Sequence, residues 1–193
     1  LSIIIPCYNE ENTILEILNK LSLIKNSIND LEIIVIDDGS NDKTKNILEE
    51  NKNLYDHFIS SPINRGKGYS VKKGLEKSTG EFIFFQDADL EYDPNDILKF
   101  SNLIKKFDPD LIIGSRFNYS DYTRSHNILN KFGNYFITNL FNVLYNTTFT
   151  DIYSCYACFK KDLLNGEKIK TDGFEQHAEI RTKVVKNGKK YYE

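Results

Sequence analysis

Short aliphatic runs alternate along this chain with stretches whose apolar positions recur every three or four residues. "LSIIIP" is followed by Ile14, Ile17, Leu18 and Leu21, which is helical spacing. "LEIIVID" is continuously apolar, as strands covered on both faces are. It leads through the turn and capping residues of "GSNDKT" into a helix over "KNILEE". "HFISS" predicts a short third strand, and Val71 with Leu75 mark a helix after "NRGKG". "EFIFFQD" predicts a fourth strand. Asp93 and Pro94 then open a helix with Ile97, Phe100, Leu103 and Ile104 on one face, before a fifth strand in "DLIIGSRF". Strand–helix alternation of this kind predicts an α/β fold with a mostly parallel central sheet and helices on both faces.

Polar clusters follow four of these strands: "PCYNE", "DDGS", "DAD" and "GSR". In parallel sheets, ligands bind beyond the carboxyl ends of the strands, so the four clusters predict one site on one rim. Beyond residue 118 the pattern loosens. "HNILNKFGNYFITNLFNVLYN" reads as an aromatic-rich amphipathic helix whose polar side is mainly Asn, with Lys131 its one cation. The missing basic face favours core or subunit packing over bilayer contact, and leaves a homo-oligomer open. "KKYYE" reads as the start of another strand.

Length and composition narrow the class. The chain has 193 residues, 40% hydrophobic and 13% aromatic, enough for one domain with a real core. A net charge of -3 excludes a general nucleic-acid binder, because no basic excess exists to neutralise phosphates. No apolar run approaches the roughly 20 residues of a membrane-spanning helix. The chain opens at Leu1 inside a strand-like run and contains no Met, so it reads as a fragment of a longer protein. Cys7, Cys155 and Cys158 are an odd set that points to a reducing compartment. "CYAC" is a lone CxxC, better read as two buried small residues than as a metal or redox pair. His57, His126 and His177 show no ligand spacing.

The acids carry the chemistry. Asp87 and Asp89, two apart beside a strand end, can both reach one hard cation, and Mg2+ or Mn2+ prefers oxygen ligands. Magnesium takes one or two carboxylates plus substrate phosphates, which points to a nucleotide diphosphate. Asp37 or Asp38 can accept hydrogen bonds from a base edge or ribose, since Ser40 and Asn41 already suffice as helix caps. In "NRGKG", glycines including Gly68 would let backbone N–H groups approach an anion, with Arg65 and Lys67 supplying charge. The Walker spacing is absent, and a solvated turn accounts for the motif equally well.

"IIIPCYNEE", "IIVIDDGSNDKT", "NRGKG", "TGEFIFFQDADLEYDP" and "IIGSRF", in this order, resemble glycosyltransferase family 2 with its GT-A fold. More faintly, "DIYSCYACFKKDLL" and "GFEQHAEI" resemble later blocks of its polyprenyl-phosphate branch. The resemblance implies a single catalytic domain, with residues 1–117 binding the nucleotide sugar and 118–193 on the acceptor side. It implies that Pro6, Tyr8 and Glu10 line the nucleotide pocket, that Asp37 and Asp38 contact base or ribose, and that "NRGKG" lies near the donor diphosphate. Asp87 and Asp89 would be the metal-binding D-x-D, with Glu91 as a third polar ligand. Arg116 would bind the acceptor phosphate and Arg124 would be a second anion contact, so that catalysis rests on Asp89 and Arg116. Glu175 and Glu179 read as a solvated helix face rather than acceptor contacts.

Two departures matter. Ala157 stands where relatives often carry Lys, and no late acidic pair supplies a general base. A lipid phosphate needs no base, because its second pKa near ~6 leaves it largely dianionic at neutral pH. The implied reaction is therefore inverting, metal-dependent transfer of a hexose from a GDP- or UDP-sugar to a polyprenyl or dolichyl phosphate. That acceptor implies work at a membrane surface, on its cytoplasmic side. The alternatives are a saccharide or other hydroxyl acceptor, or a domain that binds nucleotide sugars without turnover.

Overall fold

Strands form where β-branched and aromatic residues run together, and helices where apolar residues recur at helical spacing. The computed structural model describes residues 1–116, 128–164, 169–173 and 175–193. Its strands are β1 (Ser2–Cys7), β2 (Glu32–Asp37), β3 (His57–Ser60), β4 (Phe82–Phe85), β5 (Leu111–Ile113), β6 (Ala157–Lys160) and β7 (Tyr191–Tyr192). The helices are α1 (Ile14–Lys25), α2 (Thr44–Glu50), α3 (Lys67–Lys77), α4 (Ile97–Phe107), α5 (Ile128–Tyr145) and α6 (Gln176–Asn187).

One sheet runs in the order β3-β2-β1-β4-β6-β5-β7. β1 pairs in parallel with β2 and β4, β2 with β3, and β5 with β7, while β6 is antiparallel to both β4 and β5. The sheet is thus mostly parallel, as expected, with one reversed strand that hydrophobic patterning alone does not reveal. "ACFK" is four residues long, and its Cys158 and Phe159 face opposite sides of the sheet. Ala157 lies buried in this strand, paired with Ile113, so the position where relatives often carry Lys is here part of the core.

Successive side chains of a strand point to opposite faces, and the core divides accordingly. On one face Ile3, Ile5, Ile33, Val35 and Phe84 pack under α1, α2 and α4 through Ile17, Leu18, Leu48, Ile97 and Phe100. On the other, Ile4, Ile34, Ile36, Ile83 and Phe85 pack under α3, α5 and α6 through Val71, Phe141, Ile180 and Val184. Full burial of each such side chain contributes about 1.5–3 kcal/mol.

The chain runs from β1 outward to β2 and β3, then crosses to β4 on the other side of β1. The strand order therefore reverses between β1 and β4, which in such sheets opens a crevice at the carboxyl ends of the strands.

Candidate functional site

Beyond the ends of β1 and β4 lies a cleft of about 530 Å³. Its lining includes Pro6, Tyr8 and Glu10 from the first polar cluster, Asp38 from the second, Gly66 and Lys67 from the third, and Asp87, Asp89 and Glu91 from the fourth. Residues far apart in sequence thus meet on one rim.

Hydrogen bonds lace the first two clusters together. Ser40 Oγ accepts from the Asn9 N–H at 2.9 Å, Asn9 Oδ1 accepts from the Asn41 N–H at 2.8 Å, and Thr44 Oγ1 accepts from the Glu10 N–H at 2.7 Å. Glu10 Oε2 accepts from the Thr13 hydroxyl at 2.7 Å, and Tyr8 stands at the mouth, exposed.

The two acids of "DDGS" separate in role. Asp37 is not in the cleft lining: its buried carboxylate accepts from the Ser40 N–H and the Ser60 hydroxyl, both at 3.1 Å. Asp38 does border the cleft, but its oxygens accept the N–H groups of Arg65 at 3.1 Å and Gly66 at 2.7 Å. It therefore pins the "NRGKG" loop. Sequence spacing cannot show this, because the partners are 27 and 28 residues away.

That loop also departs from expectation. The Gly68 N–H donates to the Asp172 carbonyl at 2.7 Å, so it serves the loop rather than an anion. A Cβ on Gly68 would lie 2.6 Å from the Asp172 carbonyl carbon, and Gly66 takes a φ of 97°, which favours glycine. Close packing and backbone shape explain both glycines. The Arg65 guanidinium lies over the Tyr69 ring, 4.9 Å from its centroid, and is not in the cleft lining. Lys67 is, with its ammonium 2.5 Å from Asp87 Oδ1 and 3.5 Å from Cys155 Sγ.

The acidic loop after β4 is held from below. Gln86 is buried and its amide donates to the Asp87 carbonyl at 3.0 Å. The Tyr156 hydroxyl donates to the Asp93 carbonyl at 2.7 Å, and its ring stacks on Tyr92 at 4.6 Å. Leu90 takes a φ of 62°, unusual for a leucine, and the Glu91 N–H donates to Asp89 Oδ1 at 3.0 Å.

Asp87 and Asp89 offer the hard oxygen donors that Mg2+ or Mn2+ takes, and the Lys67 ammonium already stands on Asp87 as a cation in the same place. Among the described residues, however, no three His, Cys, Asp or Glu side chains are grouped closely enough to hold an ion. The expected Asp87–Asp89–Glu91 set is therefore not assembled here. The arrangement fits a site of one or two carboxylates completed by substrate phosphates, not an all-protein cage.

Arg116 follows β5, outside the cleft lining. Its Nε and Nη2 donate to the two Asp151 oxygens at 2.7 and 2.8 Å, and its backbone N–H donates to Oδ2 at 3.2 Å. Asp151 is wholly buried and also accepts from the Asn134 amide of α5 at 3.0 Å. This bond to Asp151 holds the Arg116 pKa above its usual value even though burial opposes the charge. Burial would raise the Asp151 carboxyl, but Arg116 outweighs it and keeps the carboxyl below the ordinary range. Arg124 lies outside the described residues.

Sequence reasoning missed Asp151, Asn134 and Cys155. Cys155 lines the cleft, and burial pushes its thiol up to about 11. His177 Nε2 is 3.7 Å from that sulfur, and burial lowers the imidazole to about 2, which keeps it neutral. Glu179 is a loop clamp rather than a solvated acid, accepting the N–H groups of Lys170 and Thr171.

Comparison with known proteins agrees with this geometry. The chain belongs to glycosyl transferase family 2, whose family model matches residues 2–166. It is a glycosyltransferase domain with the expected GT-A architecture. It is 28% identical over 184 residues to the low-salt glycan biosynthesis hexosyltransferase Agl6 of Haloferax volcanii, covering 93% of this chain and 43% of that protein. It thus spans less than half the length of that relative. A Pseudomonas fluorescens undecaprenyl-phosphate 4-deoxy-4-formamido-L-arabinose transferase is 36% identical over 100 residues, 50% of this chain and 29% of its own. Glucosyl-3-phosphoglycerate synthase from Mycobacterium tuberculosis, solved with Mn2+ and UDP-glucose, shares the fold. The TM-score is 0.71 at 17% identity, covering 99% of this chain and 67% of that one.

Proposed function

We propose that this domain transfers a hexose from a nucleotide diphosphate sugar, GDP- or UDP-linked, to a polyprenyl phosphate, with Mg2+ or Mn2+ as cofactor. The observation that carries the reading is that Asp87 and Asp89 border the same cleft as Pro6, Tyr8, Glu10 and Asp38. A divalent ion there supplies Lewis-acid stabilisation of the departing nucleoside diphosphate. Asp87 and Asp89 would hold it, while Pro6, Tyr8 and Glu10 line the nucleotide's part of the cleft.

Arg116 grips the acceptor phosphate, which attacks the anomeric carbon without first losing a proton. Asp151 engages the Nε–Nη2 edge of its guanidinium and fixes its orientation. Relatives named for transfer to undecaprenyl phosphate support a lipid acceptor.

α5 supports it further. Its inner face meets the site through Asn134 on Asp151 and Thr138 Oγ1, which accepts the Ile152 N–H. Its outer face exposes Phe132, Tyr135, Phe136, Leu140, Val143 and Leu144, with Val143 81% exposed, so contrary to the sequence expectation this face is not packed in the core of the chain. No helix among the described residues is long and apolar enough to cross a membrane. The outer face of α5 rests on the cytoplasmic surface of the bilayer and brings Arg116 to the lipid headgroups.

The test incubates the protein with Mn2+ and a panel of UDP- and GDP-hexoses, with and without polyprenyl phosphate, and follows nucleoside diphosphate release. Release only with the lipid is expected. Release that requires a free saccharide refutes the acceptor, and nucleotide-sugar binding without release under any acceptor refutes the enzyme.

A further inference from the structure

The ion pair between Lys67 and Asp87 has no part in the transfer proposed above. Both side chains line the cleft and are mostly covered, 17% and 12% exposed. The Lys67 backbone is held firmly: Asp38 takes the N–H groups of Arg65 and Gly66 on one side of it, and the Asp172 carbonyl takes that of Gly68 on the other. The flexible four-carbon stem nonetheless lets the ammonium move within the cleft.

An ammonium in contact with Asp87 Oδ1 and a divalent ion on the same carboxylate would be two cations a few ångströms apart. In a partly buried site that repulsion is only weakly screened. A nucleotide's diphosphate offers the ammonium another anionic partner in the same cleft.

Resting on the function proposed above, we propose that Lys67 is the resting counter-ion of Asp87 and couples metal binding to nucleotide binding. The ammonium stays on Asp87 while the cleft is empty and moves to the diphosphate when Asp87 is taken by the divalent ion. Each ligand then binds poorly alone and well with the other, and the coupling is reciprocal.

The test measures Mn2+ affinity of the whole chain from the electron paramagnetic resonance signal of free Mn2+, without nucleotide and with saturating UDP or GDP. Calorimetry of UDP and GDP, with and without Mn2+, gives the reciprocal arm. In the wild type, nucleotide should tighten Mn2+ binding by about 5–150-fold, the usual span of such coupling. Lys67→Gln should bind Mn2+ more tightly without nucleotide, bind nucleotide more weakly without Mn2+, and lose at least about fivefold of the coupling. Lys67→Arg should keep the coupling.

Unchanged Mn2+ affinity or undiminished coupling in Lys67→Gln overturns the proposal. If that variant does not fold, the wild type decides, since independent binding of Mn2+ and nucleotide overturns it equally. A wild type that binds neither UDP nor GDP refutes the proposed function as well. One that binds nucleotide and Mn2+ without coupling refutes only the role of Lys67.

Discussion

Replacing Asp151 by Ala removes a buried carboxylate that receives two guanidinium bonds, the Arg116 N–H and the Asn134 amide. Breaking a buried ion pair from one side costs about 3–5 kcal/mol. The lower end applies because the Arg116 side chain retains 27% exposure and water recovers part of the loss. For a domain of this size about 3 kcal/mol lowers Tm by roughly 6–12 °C. Urea denaturation of the wild type, Asp151→Ala, Arg116→Ala and the double variant closes a cycle. Its pH dependence has a defined sign. The folded Asp151 carboxyl lies below its unfolded value of about 3.9, so its contribution is present above pH ~4 and is lost as pH falls through the lower folded value. The gap between wild type and Asp151→Ala should therefore hold at pH 7 and narrow in acid. Additivity within about 0.5 kcal/mol would refute the coupling.

Asp89→Ala should abolish Mn2+-dependent sugar transfer and leave the circular dichroism spectrum intact; retained turnover would remove Asp89 from the metal site. Gly68→Ala forces a Cβ to within 2.7 Å of the Thr171 and Asp172 carbonyl oxygens, and such overpacking costs about 1–3 kcal/mol. An unchanged melting temperature would contradict it. The Glu179 carboxyl is held at about 2, because N–H groups of Lys170 and Thr171 and the Lys183 ammonium outweigh burial. Its stabilisation should vanish as pH falls from ~4.5 toward about 2, and Glu179→Gln should lose less stability than the wild type across that window. Equal acid slopes for both proteins would discard the clamp.

Five strands and the helices between them were legible because parallel strands covered on both faces concentrate β-branched residues into unbroken runs, as in "SIIIP" and "EIIVID". The seventh strand showed only as its start in "KKYYE". α6 was hard to read for a physical reason: its inward face carries Gln176, His177 and Arg181 beside Ile180 and Val184, so burial does not follow hydrophobicity. β6, "ACFK", has no β-branched residue to mark it as a strand. The acidic rim could be read from its position after strand ends. The pairing of Lys67 with Asp87 and of Arg116 with Asp151 could not, since 20 and 35 residues separate the partners and only the crossing of the sheet joins them.

The chain leaves the sheet after Ile113 and re-enters it at Ala157, and these two residues are register partners, with the Gly114 N–H bonded to the Tyr156 carbonyl at 2.8 Å. The segment that contains α5 therefore has its two ends side by side. A graft from another family member, cut at these two residues, would replace α5 without moving any strand that borders the cleft. Cutting the chain at residue 117 instead would tear out β6 and leave β4 and β5 without the strand that joins them.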